Sequence, residues 1–323
     1  MRLMTRSDID AAAVRLRPHV RRTGLLAVEG LDHVLVKPEC HQPTRSSKVR
    51  GACNAVARLV EDGWTGPVVA HSSGNHGSGV AYAARRLGLR AFIVLPDTVP
   101  AAKLAAVRDL GAEILIVPPA QRASAAESLC ARTGGVLIGA DDVETMAGAG
   151  TMGLEIAVDR SDVAAVLVPV CNGSQLSGVA CAIKSVDPAI RVIGVEPELA
   201  ADGAESFRRG ELVSWPIEQT YRTVADGLRA PHLGALAWEH VRRYVDDMIT
   251  VSDEAILDAV DRLRAGAGLT VEPSGAAAVA ACLTGRDRLP PGMSVAVVTG
   301  GNVAAGPDPS AADTHREKWS SVR

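Results

Sequence analysis

The chain reads as an α/β protein of two open, mainly parallel twisted sheets with flanking helices, the active site lying in the cleft between two lobes. Three observations predict this. Short apolar runs alternate with segments of helical apolar spacing, the pattern of strands buried on both faces. The Asp- and Gly-rich stretch Asp141 to Gly150 divides two such series and reads as a crossover. The distinctive polar loops follow strand ends, where open parallel sheets bind ligands. The expected division is 1–60 with 145–323 as a discontinuous large lobe, and 61–144 as a small one.

The elements follow in order. Ser7 is a plausible N-cap for a helix over Asp8 to Val14. Val34-Leu35-Val36 is a strand, and Lys48 opens a helix with Val49, Ala52, Val56 and Leu59 at helical spacing. Strands are predicted at Val68 to Ala70, Ala91 to Leu95, Glu113 to Val117 and Val136 to Ile138. Helices over Gly77 to Leu87, Pro100 to Leu110 and Ser124 to Arg132 separate them. The second series has strands at Ala164 to Val170, Arg191 to Glu196, Met248 to Val251 and Val295 to Val298. Its helices run over Gln175 to Lys184 and from the cap Ser252 through Leu263. The tail Ala304 to Arg323 has no apolar period and reads as surface or disordered.

Composition narrows the function. The net charge is −3, which points to neither nucleic acid nor an anionic membrane as partner. No apolar run approaches a membrane span, and the N-terminus has no apolar signal core. Six scattered cysteines without a CxxC pair suit a reduced, cytoplasmic protein. The histidines form no HExxH or other zinc spacing.

Four stretches carry chemistry. Lys48 lies at a strand-to-helix junction, where burial lowers an ammonium's pKa and frees an amine able to form a Schiff base; the alternative is a solvated lysine at a helix start. His71-Ser72-Ser73-Gly74-Asn75-His76-Gly77 can converge backbone N–H groups on a carboxylate at a helix N-terminus, or can be only a capped β–α turn. Cys171-Asn172-Gly173-Ser174-Gln175 can cradle a phosphate with N–H groups and a hydroxyl, although it is neither a P-loop nor GxGxxG. Thr299-Gly300-Gly301-Asn302 puts a hydroxyl at a sheet edge beside glycines, where Thr299 can also be a plain strand-end residue.

In this order the four stretches resemble the pyridoxal-phosphate (PLP) enzymes of the tryptophan-synthase β-subunit fold (fold type II), within the serine/threonine dehydratase and serine racemase group. Ser46-Ser47-Lys48-Val49-Arg50-Gly51-Ala52 resembles that group's Ser-Phe-Lys-x-Arg-Gly-Ala. Ser72 to Gly77 resembles its Ser-x-Gly-Asn-His loop, and Thr299 to Val303 its Ser-Gly-Gly-Asn-Val. Val224-Ala225-Asp226-Gly227 and Val271-Glu272-Pro273-Ser274-Gly275 are similar to motifs lining its cofactor cavity. Two departures stand out. Cys171-Asn172-Gly173-Ser174 replaces a run of four glycines, and Ser47 replaces the phenylalanine before the lysine.

The resemblance implies that Lys48 is the Schiff-base lysine and that Ser73 is either a second acid/base on the opposite face or a loop serine that only bonds the substrate carboxylate. It implies cofactor contacts from Asn75, Asn172, Gly173, Ser174, Gln175, Glu272 and Thr299. Substrate contacts come from Ser72, Ser73, Gly74, Asn75 and His76. A Mg²⁺ or Ca²⁺ site is implied at Glu196, the carbonyl of Ala200 and Asp202, a hard oxygen set. The implied activity is β-elimination from serine, threonine or a related β-hydroxy amino acid, giving a 2-oxo acid and ammonia. Racemisation, β-replacement and non-catalytic PLP binding are the alternatives, and a homodimer is the implied assembly.

Overall fold

The computed structural model describes residues 2–72 and 74–303. Ser73 and the tail from Ala304 lie outside the described residues. The strands are β1 Leu26–Ala27, β2 Val34–Pro38, β3 Val68–His71, β4 Ala91–Pro96, β5 Glu113–Val117, β6 Val136–Leu137, β7 Val163–Pro169, β8 Arg191–Pro197, β9 Asp247–Val251 and β10 Met293–Val298. The first six helices are α1 Arg6–Leu16, α2 Lys48–Glu61, α3 Asn75–Leu87, α4 Ala101–Asp109, α5 Arg122–Thr133 and α6 Val143–Asp159. They are followed by α7 Ser174–Val186, α8 Asp202–Arg209, α9 Ile217–Thr220, α10 Ala235–Tyr244, α11 Asp253–Ala267 and α12 Pro273–Thr284.

The strands form two sheets, one ordered β1-β2-β10-β7-β8-β9 and the other β5-β4-β3-β6. Every pairing is parallel except the short β1 on β2. Strand alternation sorts side chains onto two faces. In β10, Val295 and Val297 join the cluster with Met152 and Ile156 of α6 and Val179 of α7. Ala296 and Val298 face Ile256 and Leu263 of α11 and Val279 of α12. A strand covered on both faces must be apolar throughout, which is why these runs are continuous rather than alternating. Fully burying each valine contributes about 1.5–3 kcal/mol. The four-stranded sheet repeats the scheme. Val68, Ala70, Ile93 and Leu95 pack on α2 and α3, while Val69, Phe92 and Val94 pack on Ala126 and Leu129 of α5. The seam between the lobes therefore runs along α2.

Asp141 to Gly150 does carry the chain from one sheet to the other, between β6 and β7, and it does so as the start of a helix: Asp142 caps α6 by accepting from the Thr145 N–H at 2.6 Å, and the glycines lie inside the helix. They are packing surfaces. A methyl at Gly148 would come 2.5 Å from Arg50 O, and one at Gly153 2.8 Å from Val179 O, so α6 can lie against α2 and α7 only without side chains there. At the N-terminus Thr5, not Ser7, precedes the helix, because Asp8 reaches back to the Thr5 N–H at 2.8 Å in the reciprocal arrangement of a capping box.

Candidate active site

The carboxyl ends of β2, β7 and β10 are neighbours in the large sheet, and the chain leaving each contributes to one place. Backbone pairing brings them together: Ser47 N–H donates to Thr299 O at 2.8 Å, Gly301 N–H to Arg45 O at 2.9 Å, and Glu272 N–H to Gly300 O at 3.0 Å. The lysine segment, the last loop and the start of α12 are thus locked in register. The loop after β3 closes the site from the small lobe, with Asn75 Nδ2 donating to Glu272 Oε1 at 2.5 Å and Asn302 Nδ2 to Asn75 Oδ1 at 3.0 Å.

Lys48 is the first residue of α2. Burial pushes its pKa below the ordinary lysine value, opposed by the charges of Cys171 and Glu272 nearby. The lowering raises the share of free amine, the form a nucleophile or base requires. The helix is anchored behind it. Arg50, fully buried, donates to Glu39 at 2.7 and 2.8 Å and to Glu155 at 2.8 Å, and Lys37 pairs with Glu155 at 2.6 Å. Two cations facing two carboxylates satisfy one another in the interior, where any one alone would be costly.

Ser72 Oγ accepts from the Gly74 N–H at 2.9 Å. Gly74 has φ +146° and precedes α3, a conformation that disfavours any side chain. Asn75 and His76 occupy the first turn of α3, two residues before the predicted start, so their N–H groups belong to the unsatisfied set at a helix N-terminus. His76 Nε2 lies 3.0 Å from Ile138 O.

The phosphate-type loop enters α7 through Gly173 at φ +85°. The Ser174 hydroxyl is spent on Ala140 O, which leaves the main-chain N–H groups of Asn172, Gly173 and Ser174 and the Asn172 side-chain amide as donors. Gln175 is 5% exposed; its Oε1 accepts from Ser47 Oγ at 2.6 Å, and its Nε2 is buried without a partner. Thr299 is buried, its hydroxyl 3.4 Å from Ser274 O.

At the end of β8, Glu196 accepts from Gly203 N–H at 3.2 Å and Ala204 N–H at 2.7 Å. Asp202 is 1% exposed with Oδ2 unpartnered, and Ala200 is buried beside it. Burial pushes Asp202 up to about 7, and burial and the Asp202 charge raise Glu196. Among the described residues no group of three His, Cys, Asp or Glu side chains forms a metal cluster, so a cation here would need the Ala200 carbonyl and water.

Sequence reasoning missed Lys103, whose ammonium pairs with Glu272 at 2.8 Å and Asp226 at 2.6 Å. One signal was available: a lysine in the first turn of a helix opposes the helix dipole and needs partners. It also missed the Ser47–Gln175 pair and the role of Asn302 in orienting Asn75.

With this geometry in view, residues 16–300 match the family model described as pyridoxal-phosphate dependent enzyme. The chain belongs to that family. It is 36% identical over 312 residues to a serine racemase of Oryza sativa subsp. indica, covering 93% of this chain and 91% of the relative. Its identity to an L-threonine ammonia-lyase of Thermotoga maritima is 39% over 310 residues, covering 93% and 76%. The structure of maize serine racemase superposes with a TM-score of 0.89 at 35% identity, covering 94% of this chain and 95% of that one. The family's cofactor fits the residues present. The unpartnered Gln175 Nε2, the N–H groups opening α7 and the depressed Lys48 amine are complementary to a phosphate and an aldehyde. No helix among the described residues is long and apolar enough to cross a membrane.

Proposed function

We propose that this chain is a PLP-dependent lyase that eliminates the β-hydroxyl of serine, threonine or a related β-hydroxy amino acid as water, leaving an enamine that takes water back on hydrolysis to give a 2-oxo acid and ammonia. The observation that carries this reading is the half-buried Lys48, its amine depressed in pKa, at the meeting point of the carboxylate loop, the phosphate loop and Thr299. Lys48 would hold the cofactor, with Asn172, Gly173, Ser174 and Gln175 around its phosphate and Asn75, Glu272 and Thr299 around its ring. When bound, the cofactor supplies an electron sink for negative charge at the substrate Cα. Lys48 takes the Cα proton as a neutral base. Ser72, Gly74, Asn75 and His76 hold the substrate carboxylate at the positive end of α3. Thr299 offers a hydroxyl and no charge, which weakens the sink and favours prompt departure of the β-hydroxyl.

Racemisation is the second reading, supported by the serine racemases among the relatives. It needs a second acid/base, the role assigned to Ser73. We also retain a Mg²⁺ or Ca²⁺ at Glu196, Ala200 and Asp202, supported by the two buried carboxylates and the unpartnered Asp202 Oδ2. The lobe division 1–60 with 145–323 against 61–144, a homodimer and a cytoplasmic setting complete the proposal; the six free cysteines suit the last.

The test combines labelling and turnover. Borohydride reduction of the holoenzyme should place the pyridoxyl label on Lys48, and serine or threonine should yield the 2-oxo acid with no other nucleophile added. Label on another lysine overturns the site. Interconversion of D- and L-serine without 2-oxo acid would favour the second reading.

A further inference from the structure

Lys103 lies in the first turn of α4, yet it is only 2% exposed. Burial opposes its charge, but Glu272 and Asp226 outweigh it and raise its pKa, so the ammonium is retained. The cation and its partners come from different lobes. The helix α4 packs with the four-stranded sheet, whereas Glu272 precedes α12 and Asp226 opens the turn Asp226–Leu228 against the large core. The Lys103 stem also lies under the carboxylate loop, since a methyl at Gly74 would come 2.5 Å from Lys103 Cδ. Glu272 shares its two oxygens between the lobes' contacts, Oε2 to Lys103 and Oε1 to Asn75.

We propose that Lys103 is a positioning residue, an interlobe ion-pair latch that seats the Gly74–Asn75 turn against Glu272. Its own atoms take no part in the chemistry. It acts by holding Glu272 ionised and fixed in orientation, which fixes Asn75 in turn. Without the cation, Asp226 and Glu272 become buried carboxylates with no counter-charge; one must take a proton or the lobes must part. The consequence for substrate rests on the reading of this loop as the carboxylate holder, while the latch itself does not.

The experiment compares the holoenzyme with Lys103→Met, Lys103→Arg and Asp226→Asn. Hydrogen exchange at residues 74–79 and 101–109 should quicken at least tenfold in Lys103→Met, with β7 and β8 unchanged. Lys103→Arg, which keeps the charge, should recover most of the protection, and Asp226→Asn should fall between. With an amino-acid substrate, Lys103→Met should raise KM at least tenfold and change kcat less than threefold. Unchanged exchange in Lys103→Met overturns the latch. If that variant does not fold, parent-like exchange in Asp226→Asn does so instead. Quickened exchange in Lys103→Met, together with a parent that turns over no amino acid, would uphold the latch and sink the proposed activity.

Discussion

Ser47 and Gln175 lie 128 positions apart in the chain and are both buried, the serine hydroxyl donating to the amide oxygen at 2.6 Å. A phenylalanine at 47 would fill this space with a ring and leave the Gln175 amide unpaired at both ends. A buried polar group without a partner costs about 1–3 kcal/mol, and overpacking adds about 1–3 kcal/mol. The two residues should therefore behave as a unit. Ser47→Phe alone is expected to weaken PLP affinity at least tenfold and lower the melting temperature. The double variant Ser47→Phe with Gln175→Met should recover most of the lost melting temperature, because residues in contact are coupled, but not the PLP affinity, since it also removes the Gln175 amide from the phosphate. A melting curve and an absorbance titration with PLP measure the two; strictly additive losses of melting temperature would mean that the pair is incidental. Neither partner was legible in the sequence as half of a pair, since nothing local to Ser47 points to Gln175. That the Lys48, Asn75 and Thr299 segments meet was legible because the loops that bring them together are constrained: a turn at φ +146° needs Gly74, and loops packed this closely need small residues.

The same distinction separates elements that were read from elements that were not. Runs such as Val163–Pro169 and Met293–Val298 were recognisable because burial on both faces demands unbroken apolar sequence. The helix α6 went unread because glycine is a poor helix former in isolation, and its close approach to α2 and α7 is a tertiary fact. Lobe boundaries blur for a related reason, since α2 begins with Lys48 at the large-lobe site and buries Val49, Ala52 and Val56 with the small sheet. The turn between β8 and α8 has its own consequence. Glu196 anchors the first N–H groups of α8 while facing the Asp202 carboxylate, so a divalent cation shared by the two would remove their repulsion and brace the helix. A ligand that binds only the folded state stabilises by about 2.7 kcal/mol at a hundredfold excess over Kd. Chelation should accordingly lower the melting temperature by several degrees, Mg²⁺ or Ca²⁺ should restore it, and Asp202→Asn should abolish the response. A melting curve indifferent to chelator and cation alike would remove the metal from this protein.

At the scale of the whole molecule the two lobes carry opposite responses to acid. His19, His71 and His76 all lie on or against the small lobe, and burial holds each below the ordinary imidazole pKa; Arg86 adds to this at His19, Arg122 and His76 at His71, and Lys48 at His76. Asp202, in the large lobe, is pushed up to about 7 by burial. The signs differ. A histidine with a depressed folded pKa leaves the unfolded chain binding more protons, so its contribution is complete above about pH 6.5 and is lost as pH falls below it. A carboxylate with a raised folded pKa binds its proton more readily when folded, so acidification through that range adds stability. Each group changes stability by at most about 1.4 kcal/mol per pH unit. Moving from pH 7.5 to 5.5 should therefore loosen the four-stranded sheet relative to the six-stranded one. Hydrogen exchange, corrected for the intrinsic pH dependence, should show protection falling in β3 and β4 more than in β7 and β8. His76→Gln keeps a donor for Ile138 O but cannot titrate, and it should reduce that difference. An equal fall in both sheets, or a His76→Gln profile identical to the parent, would place the origin of the acid response elsewhere than in these imidazoles.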